Sequence, residues 1–241
     1  MTGEAPAVAA PPGHVELAAS VLGHNDRLAR ALRERLEASG VAMFNVASSP
    51  GSGKTRLLEA LLARMGPAYG AAALVGDLAT DRDARRLARS GAPVRQIVTD
   101  GLCHLEAAMV QDHLIGWDVG ECRYLFVENV GNLVCPAAFD LGEAARLVLQ
   151  SVTEGEDKAL KYPPMYSSAD LVVITKSDLA EAAEFEREAC RAAIHEVNPG
   201  VAILETSAKT GAGLDDLVRA LVHIRDDALG LGPGRQAAPP A

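Results

Sequence analysis

The sequence predicts an α/β fold: a mostly parallel sheet of about seven strands with helices on both faces, preceded by an N-terminal helical extension. Three observations carry that expectation. Short apolar, β-rich runs alternate with segments of helical periodicity along nearly the whole chain. Strands separated by helices need crossover connections, and crossovers join parallel strands. The first strand also runs straight into a Gly/Ser-rich loop and a helix, the order of a phosphate-binding strand–loop–helix unit.

The elements follow in order. Residues 1–24 are expected to be disordered, since MTGEAPAVAAPPGHV is rich in Ala, Pro and Gly, and residues 232–241, GPGRQAAPPA, are expected to be the same. From Asn25 to Ala38, Leu28, Leu32 and Leu36 recur at i, i+4 and i+8, an amphipathic helix with Asn25 or Asp26 as its cap. Strands are expected at MFNVA (43–47), AALVGD (72–77), VRQIV (94–98), YLFVEN (124–129), LVLQSVT (147–153), DLVVITK (170–176) and VAILETS (201–207). Helices are expected at 54–65, 81–90, 104–113, 181–197 and 213–229. Residues 25–231 then form a single domain with no internal repeat.

Composition narrows the function classes. A net charge of −9 over 241 residues argues against a non-specific nucleic-acid binder, which needs a basic face. No apolar run reaches the ~20 residues of a membrane helix, so no membrane role is expected. Cys103, Cys122, Cys135 and Cys190 are irregularly spaced and no signal peptide precedes them, which points to a reduced, cytoplasmic setting.

SSPGSGKT, Ser48 to Thr55, matches the phosphate-loop pattern except that Ser48 stands in place of the first glycine. Pro50, Gly51, Ser52 and Gly53 form the curl whose N–H groups turn toward phosphate oxygens, and the two glycines permit the backbone conformation. Lys54 supplies a charge for the β- and γ-phosphates, a catalytic role, and the Thr55 hydroxyl is placed for Mg²⁺. Arg56, just after Thr55, completes the candidate nucleotide set and is expected on the helix beyond the phosphate contacts. A Gly/Ser turn capping a helix is the plainer alternative, and the strand before and helix after weigh against it.

Which base is bound should be decided late in the sheet. There TKSD places Thr175, Lys176 and Asp178 after a strand, where an aspartate accepts from both N1–H and N2–H of guanine. Guanine-reading loops usually begin with Asn, and Thr175 departs from that. Ser207, Ala208 and Lys209 follow the last strand and form a loop whose backbone N–H groups suit the guanine oxygen. Together the two loops favour GTP over ATP. Between them, GDLATDRD puts Asp77 at the end of the second strand with Thr80 and Asp83 beyond, and ENVG puts Glu128 at the end of the fourth with Gly131 near a γ-phosphate. Asp77 and Glu128 are candidates for holding Mg²⁺, and Asp77 also for orienting the attacking water. Asp77 or Asp81 acting as a helix cap is the alternative.

TDGLCHL and VGNLVCP remain: Cys103, His104 and Cys135. In a reduced setting such a cluster leans toward metal or catalysis, although a buried thiol and a capping imidazole are the commoner fates of these residue types. SSPGSGKT, GDLATDRD, GLCHLEAAMV, ENVGNLVCPAAFDLGE and SVTEGEDKALKYP together resemble the hydrogenase-maturation nickel-insertion GTPases, the HypB family, of the SIMIBI class of P-loop GTPases. The resemblance covers about residues 25 to 225. It implies that Cys103, His104 and Cys135 are the metal site of the GTPase domain, for nickel or zinc. It further implies slow GTP hydrolysis coupled to nickel delivery, a nucleotide- and metal-linked homodimer, and as partners a nickel-delivery accessory protein and the precursor of a hydrogenase large subunit. Nickel delivery to urease, and more remotely a P-loop ATPase or kinase, are the rivals. Adjacent side chains diverge in a helix, so Cys103 and His104 are expected at a loop-to-helix junction. Cys122, Cys190, His113 and His195 match no motif and are expected to be structural. Residues 1–40 hold only His14 and His24 and no cysteine, unlike relatives with an N-terminal nickel store.

Overall fold

The computed structural model describes residues 12–77, 82–118 and 121–231. The segments 1–11 and 232–241, expected to be disordered, and the loop residues Thr80 and Asp81 lie outside the described residues.

Seven strands form one sheet: β1 (Ala42–Ser48), β2 (Ala71–Asp77), β3 (Val94–Val98), β4 (Tyr124–Glu128), β5 (Ala145–Ser151), β6 (Leu171–Thr175) and β7 (Ala202–Glu205). Their order is β3-β2-β4-β1-β5-β6-β7, and every pair is parallel. β1, β4, β5 and β6 are buried along their whole length, so their sequences are apolar on both faces rather than alternating, apart from buried polar residues such as Asn45 in β1 and Arg146 and Gln150 in β5. The helices are α1 (Pro12–Ala38), α2 (Lys54–Tyr69, broken at Gly66), α3 (Arg82–Leu87), α4 (Ala107–Leu114), α5 (Lys158–Lys161), α6 (Pro163–Ser167), α7 (Arg187–Val197) and α8 (Leu214–Ala228). One core packs α2 and α8 on the sheet through Leu58, Leu62 and Leu221, and two more bury the opposite side around Leu32 with Leu125, and around Tyr166 with Ile194.

Three expectations are corrected. The first helix begins at Pro12, so residues 12–24, assigned to a disordered segment, are helical. Proline is tolerated at a helix start, and ELAASVL behind it is rich in helix formers, which outweighs the Gly and Pro content. Asn25 therefore sits inside its own helix, buried, and caps a different one: its Oδ1 accepts from Ala107 N at 2.9 Å at the start of α4, while its Nδ2 donates to Asp140 O at 2.8 Å. The helix expected at 181–197 starts only at Arg187, because residues 181–184 turn through Glu184 (φ 50°) and Phe185 N closes back on Ala180 O at 2.9 Å. β5 also ends two residues early, where Glu154 takes the Ser151 N–H at 2.7 Å and turns the chain.

Chain order runs from β1 outward to β2 and β3 on one side, then to β5, β6 and β7 on the other. The crevice at the carboxyl end of β1 is thus the point where a parallel sheet of this kind binds its ligand.

Candidate nucleotide and metal site

At that crevice the loop after β1 curls through Gly51 (φ 77°) and Gly53 (φ 100°), a conformation that side-chain-bearing residues avoid. Ser48, standing where the pattern has glycine, is fully buried, and its hydroxyl contacts Ser52 Oγ and accepts from Lys54 Nζ at 2.9 Å. The serine therefore holds the lysine of the candidate phosphate loop in place. Burial lowers the Lys54 pKa, an effect opposed by the carboxylates of Glu128, Asp83 and Glu154. Glu154, which the sequence reading gave no role, accepts from Ser49 Oγ and from Lys158 Nζ at 3.1 Å, so SVTEGEDK braces the phosphate loop. SVTEGEDK carried the resemblance, but its contact with Ser49 crosses 105 residues and nothing local announces it.

Two cavities open from this loop. One, of about 370 Å³, is lined by Lys54, Thr55, Asp77, Asp83, Glu128 and Gly131. The other, of about 240 Å³, is lined by Ser52, Gly53, Thr175, Lys176, Asp178 and Ala208, with Lys209 at its edge. Arg56 borders both cavities and pairs with Glu59 at 3.0 Å. Thr175 explains its own departure from asparagine: its hydroxyl donates to Ser52 O at 2.6 Å and ties the base loop to the phosphate loop. Lys176, in the left-handed region at φ 57°, lays its stem past Gly53 and donates to Gly51 O at 2.8 Å. Ser207 does not face the cavity; its hydroxyl donates to Asp178 Oδ1 at 2.6 Å and orients that carboxylate.

On the phosphate side Thr55 Oγ1 donates to Glu128 Oε1 at 2.7 Å, while Glu128 Oε2 is buried without a hydrogen-bond partner. Burial pushes the Glu128 pKa up to about 7, against the Thr55 hydrogen bond and the Lys54 charge. An unfolded glutamate gives up its proton near 4.5, whereas folded Glu128 keeps it to about 7. Between those values the folded state binds more protons, so stability falls as pH rises through the window, by roughly 3 kcal/mol in all. Glu128→Gln removes that loss. In urea unfolding of nucleotide- and metal-free protein, the variant's advantage over wild type is expected to grow from pH 5 to pH 7.5; a pH-independent difference would count against a buried, protonated Glu128.

The three candidate metal-binding side chains also meet. Cys103 Sγ, a nitrogen of His104 and Cys135 Sγ all lie within 4.8 Å of one another. The two sulfurs are 2.9 Å apart, and Cys103 Sγ is 3.9 Å from His104 Nδ1. α4 begins at Ala107 rather than at 104, with Glu106 in an extended conformation before it, so Cys103 and His104 do occupy a loop-to-helix junction. Phe139 stacks on the imidazole at 4.0 Å. His104 Nε2 is buried without a hydrogen bond, Glu106 Oε1 standing at 3.5 Å, which is ion-pair range but too long for a good hydrogen bond. The thiol contact with Cys135 and burial raise the Cys103 pKa. Both thiols are partly exposed, unlike Cys122 and Cys190, which are buried and pushed up to about 11 by burial. His113 and His195 hydrogen-bond backbone carbonyls, at 2.8 and 3.2 Å, as expected of structural residues.

Residues 42–205 match the family model for the CobW/HypB/UreG nucleotide-binding domain. The hydrogenase maturation factor HypB of Azotobacter vinelandii is 46% identical over 219 residues, which cover 89% of this chain and 72% of that protein. This chain belongs to the HypB family. Within HypB, the crystal structure of the Helicobacter pylori protein in complex with nickel superposes with a TM-score of 0.80 at 37% identity, covering 89% of this chain and all of that one. A relative from Helicobacter hepaticus, 41% identical over 199 residues and matching 81% of each chain, is named a hydrogenase/urease maturation factor HypB. HypB proteins are nucleotide-binding, and in this chain the nucleotide crevice and the thiol–imidazole cluster share one short segment, Glu128 to Cys135.

Proposed function

We propose that this HypB-family protein hydrolyses GTP slowly and uses the cycle to hold and hand over nickel during maturation of a [NiFe]-hydrogenase. The single observation that carries the reading is the placement of Cys135 four residues beyond Gly131. Gly131 packs against the phosphate loop so closely that a Cβ there would lie 3.1 Å from Pro50 Cα. A γ-phosphate that draws Gly131 inward therefore displaces the segment carrying a metal ligand.

In this mechanism Asp178, oriented by Ser207, reads guanine, and the Ala208–Lys209 backbone meets its oxygen. Lys54 and the amides of residues 51–55 hold the phosphates, and Asp77 orients the attacking water. Mg²⁺ fits the pair Thr55 and Glu128, because Glu128 Oε2 is a buried carboxylate oxygen with no other partner. When bound, it neutralises charge on the phosphates. Nickel is the cargo, and two thiolates with an imidazole suit its softness as they suit that of zinc. Three protein ligands leave a fourth position for water or a residue of a second copy. Leu102 and Val134, exposed beside Cys103 and Cys135, favour a protein contact there, and with it the nucleotide-linked homodimer, the accessory protein and the hydrogenase precursor as partners. No described helix is long and apolar enough to cross a membrane.

A second reading, delivery to urease, is favoured by the double name of the Helicobacter hepaticus relative. A kinase or ATPase is disfavoured by the carboxylate of Asp178 in the base cavity.

Nickel titration with GDP and with a non-hydrolysable GTP analogue tests the proposal. The two affinities are expected to differ by at least about fivefold, the lower range of coupling between linked sites. Equal affinities would remove the delivery mechanism.

A further inference from the structure

Two asparagines of the segment ENVGN grip the loop that carries Cys103 and His104, one on each side of the histidine. Asn129 Oδ1 accepts from Leu105 N at 3.3 Å, and Asn132 Nδ2 donates to Cys103 O at 3.3 Å. The two anchors differ in what stands behind them. Asn129 is buried, with its own N–H on Val46 O at 3.0 Å and its amide on Asn45 Oδ1 at 3.2 Å. Asn45 in turn donates to Glu143 Oε1 at 3.0 Å, and Glu143 is paired with Arg146 inside the fold. Asn129, directly after β4, is therefore tied to the sheet and the buried network behind it. Asn132 lies on the other side of Gly131, partly exposed, with only the turn to Val134 N (2.9 Å) behind its Oδ1. The far end of the metal loop is fixed as well, since the buried Thr99 hydroxyl donates to Leu102 O at 2.8 Å.

We propose that Asn132 is the positioning residue that transmits the nucleotide state to Cys103 and His104, with Asn129 as the fixed pivot. The carbonyl that Asn132 holds belongs to the peptide joining the two ligands. With Leu102 and Leu105 fixed, displacement of Asn132 along with Gly131 tilts that peptide and turns both ligand side chains together. The same displacement moves Cys135, three residues further on. One switch movement thus acts on all three ligands, by the chain itself at Cys135 and through a hydrogen bond at the other two. The inference rests on the nucleotide-linked reading of the site given above.

Asn132→Asp isolates the link: the carboxylate still accepts from Val134 N but cannot donate to Cys103 O. Asn132→Ala removes both contacts. Nickel affinity is measured for wild type and both variants, each with GDP and with the non-hydrolysable GTP analogue. The added charge of Asn132→Asp strengthens nickel binding in both nucleotide states, so the ratio of the two affinities is the quantity read. In wild type that ratio is expected to be at least about fivefold, and in both variants below about twofold, with nickel stoichiometry and nucleotide affinity retained. A wild-type ratio in Asn132→Asp overturns the proposal, including the case where Asn132→Ala alone loses it, which would place the effect in the Val134 turn. A ratio near one in wild type itself overturns both this proposal and the nucleotide-linked function.

Discussion

Replacing Lys54 by methionine is expected to lower GTP hydrolysis by a factor on the order of 10²–10³, the scale for removing one charge-stabilising group from a transition state, while leaving the nucleotide-free fold as stable as wild type or more so. The two halves of that expectation have one cause. Lys54 is 8% exposed, and burial lowers its pKa, so in the absence of phosphate its charge is held at a disadvantage. Its hydrogen bond to Ser48 Oγ recovers part of the lost hydration, and the nearby carboxylates help. An isosteric apolar chain removes the buried charge and keeps the stem's packing. What is lost in the proposed mechanism is the point charge that would meet the β- and γ-phosphates as negative charge builds on them. Single-turnover hydrolysis and thermal melting without nucleotide check the two halves separately. A variant that melts early would mean that Lys54 holds the loop's fold, and unchanged hydrolysis would mean that the cavity of Thr55, Asp77 and Glu128 is not where the chemistry occurs.

Legibility in the sequence followed the range of the interaction. β4 and β6 were readable because burial on both faces demands nearly continuous apolar runs, and the phosphate loop because Gly51, Gly53, Lys54 and Thr55 act within eight residues of chain. Cys103, His104 and Cys135 were readable only as two motifs side by side; what brings them together is the adjacency of β2, β3 and β4 in the sheet. Contacts between distant segments left no local trace. Asn25 looks like the cap of its own helix and is the cap of one that begins 82 positions later. Thr175 departs from asparagine and its hydroxyl lies on the phosphate loop, and the Ser207 hydroxyl orients Asp178, a contact across 29 residues that the backbone role expected of its loop does not announce. Asn129 and Asn132 stood inside a motif already singled out, but a side chain that bonds a backbone group in another loop has no spacing rule to reveal it.

Cys135→Ala separates a cargo site from a structural metal. If the cluster held zinc for the sake of the fold, its loss would unfold the chain, because structural sites contribute folding energy outright. The surroundings argue otherwise. Cys135 is partly exposed at the start of a short 3₁₀ turn (Cys135–Ala138), and the neighbouring backbone is held by groups that do not need it: Arg146 donates to Ala137 O at 3.2 Å and to Phe139 O at 2.7 Å. The adjoining Leu133 is buried with Ala47 and Val148 whether or not the thiol is present. The variant is therefore expected to melt within a few degrees of wild type, as for a surface change of about 0.5 kcal/mol, and to bind guanine nucleotide normally. Nickel affinity should fall by ~100-fold or more, since even partners outside the ligand set are worth 10–100-fold. Removing Cys135 also relieves the 2.9 Å thiol contact that raises the Cys103 pKa, so Cys103 in the variant should react faster with an alkylating reagent at neutral pH. Spectroscopic nickel titration, nucleotide binding and melting on one preparation decide the matter. A folded, nucleotide-binding variant without nickel affinity makes Cys135 a cargo ligand, whereas collapse of the fold would make the metal structural and return the nucleotide cycle to a purpose other than delivery.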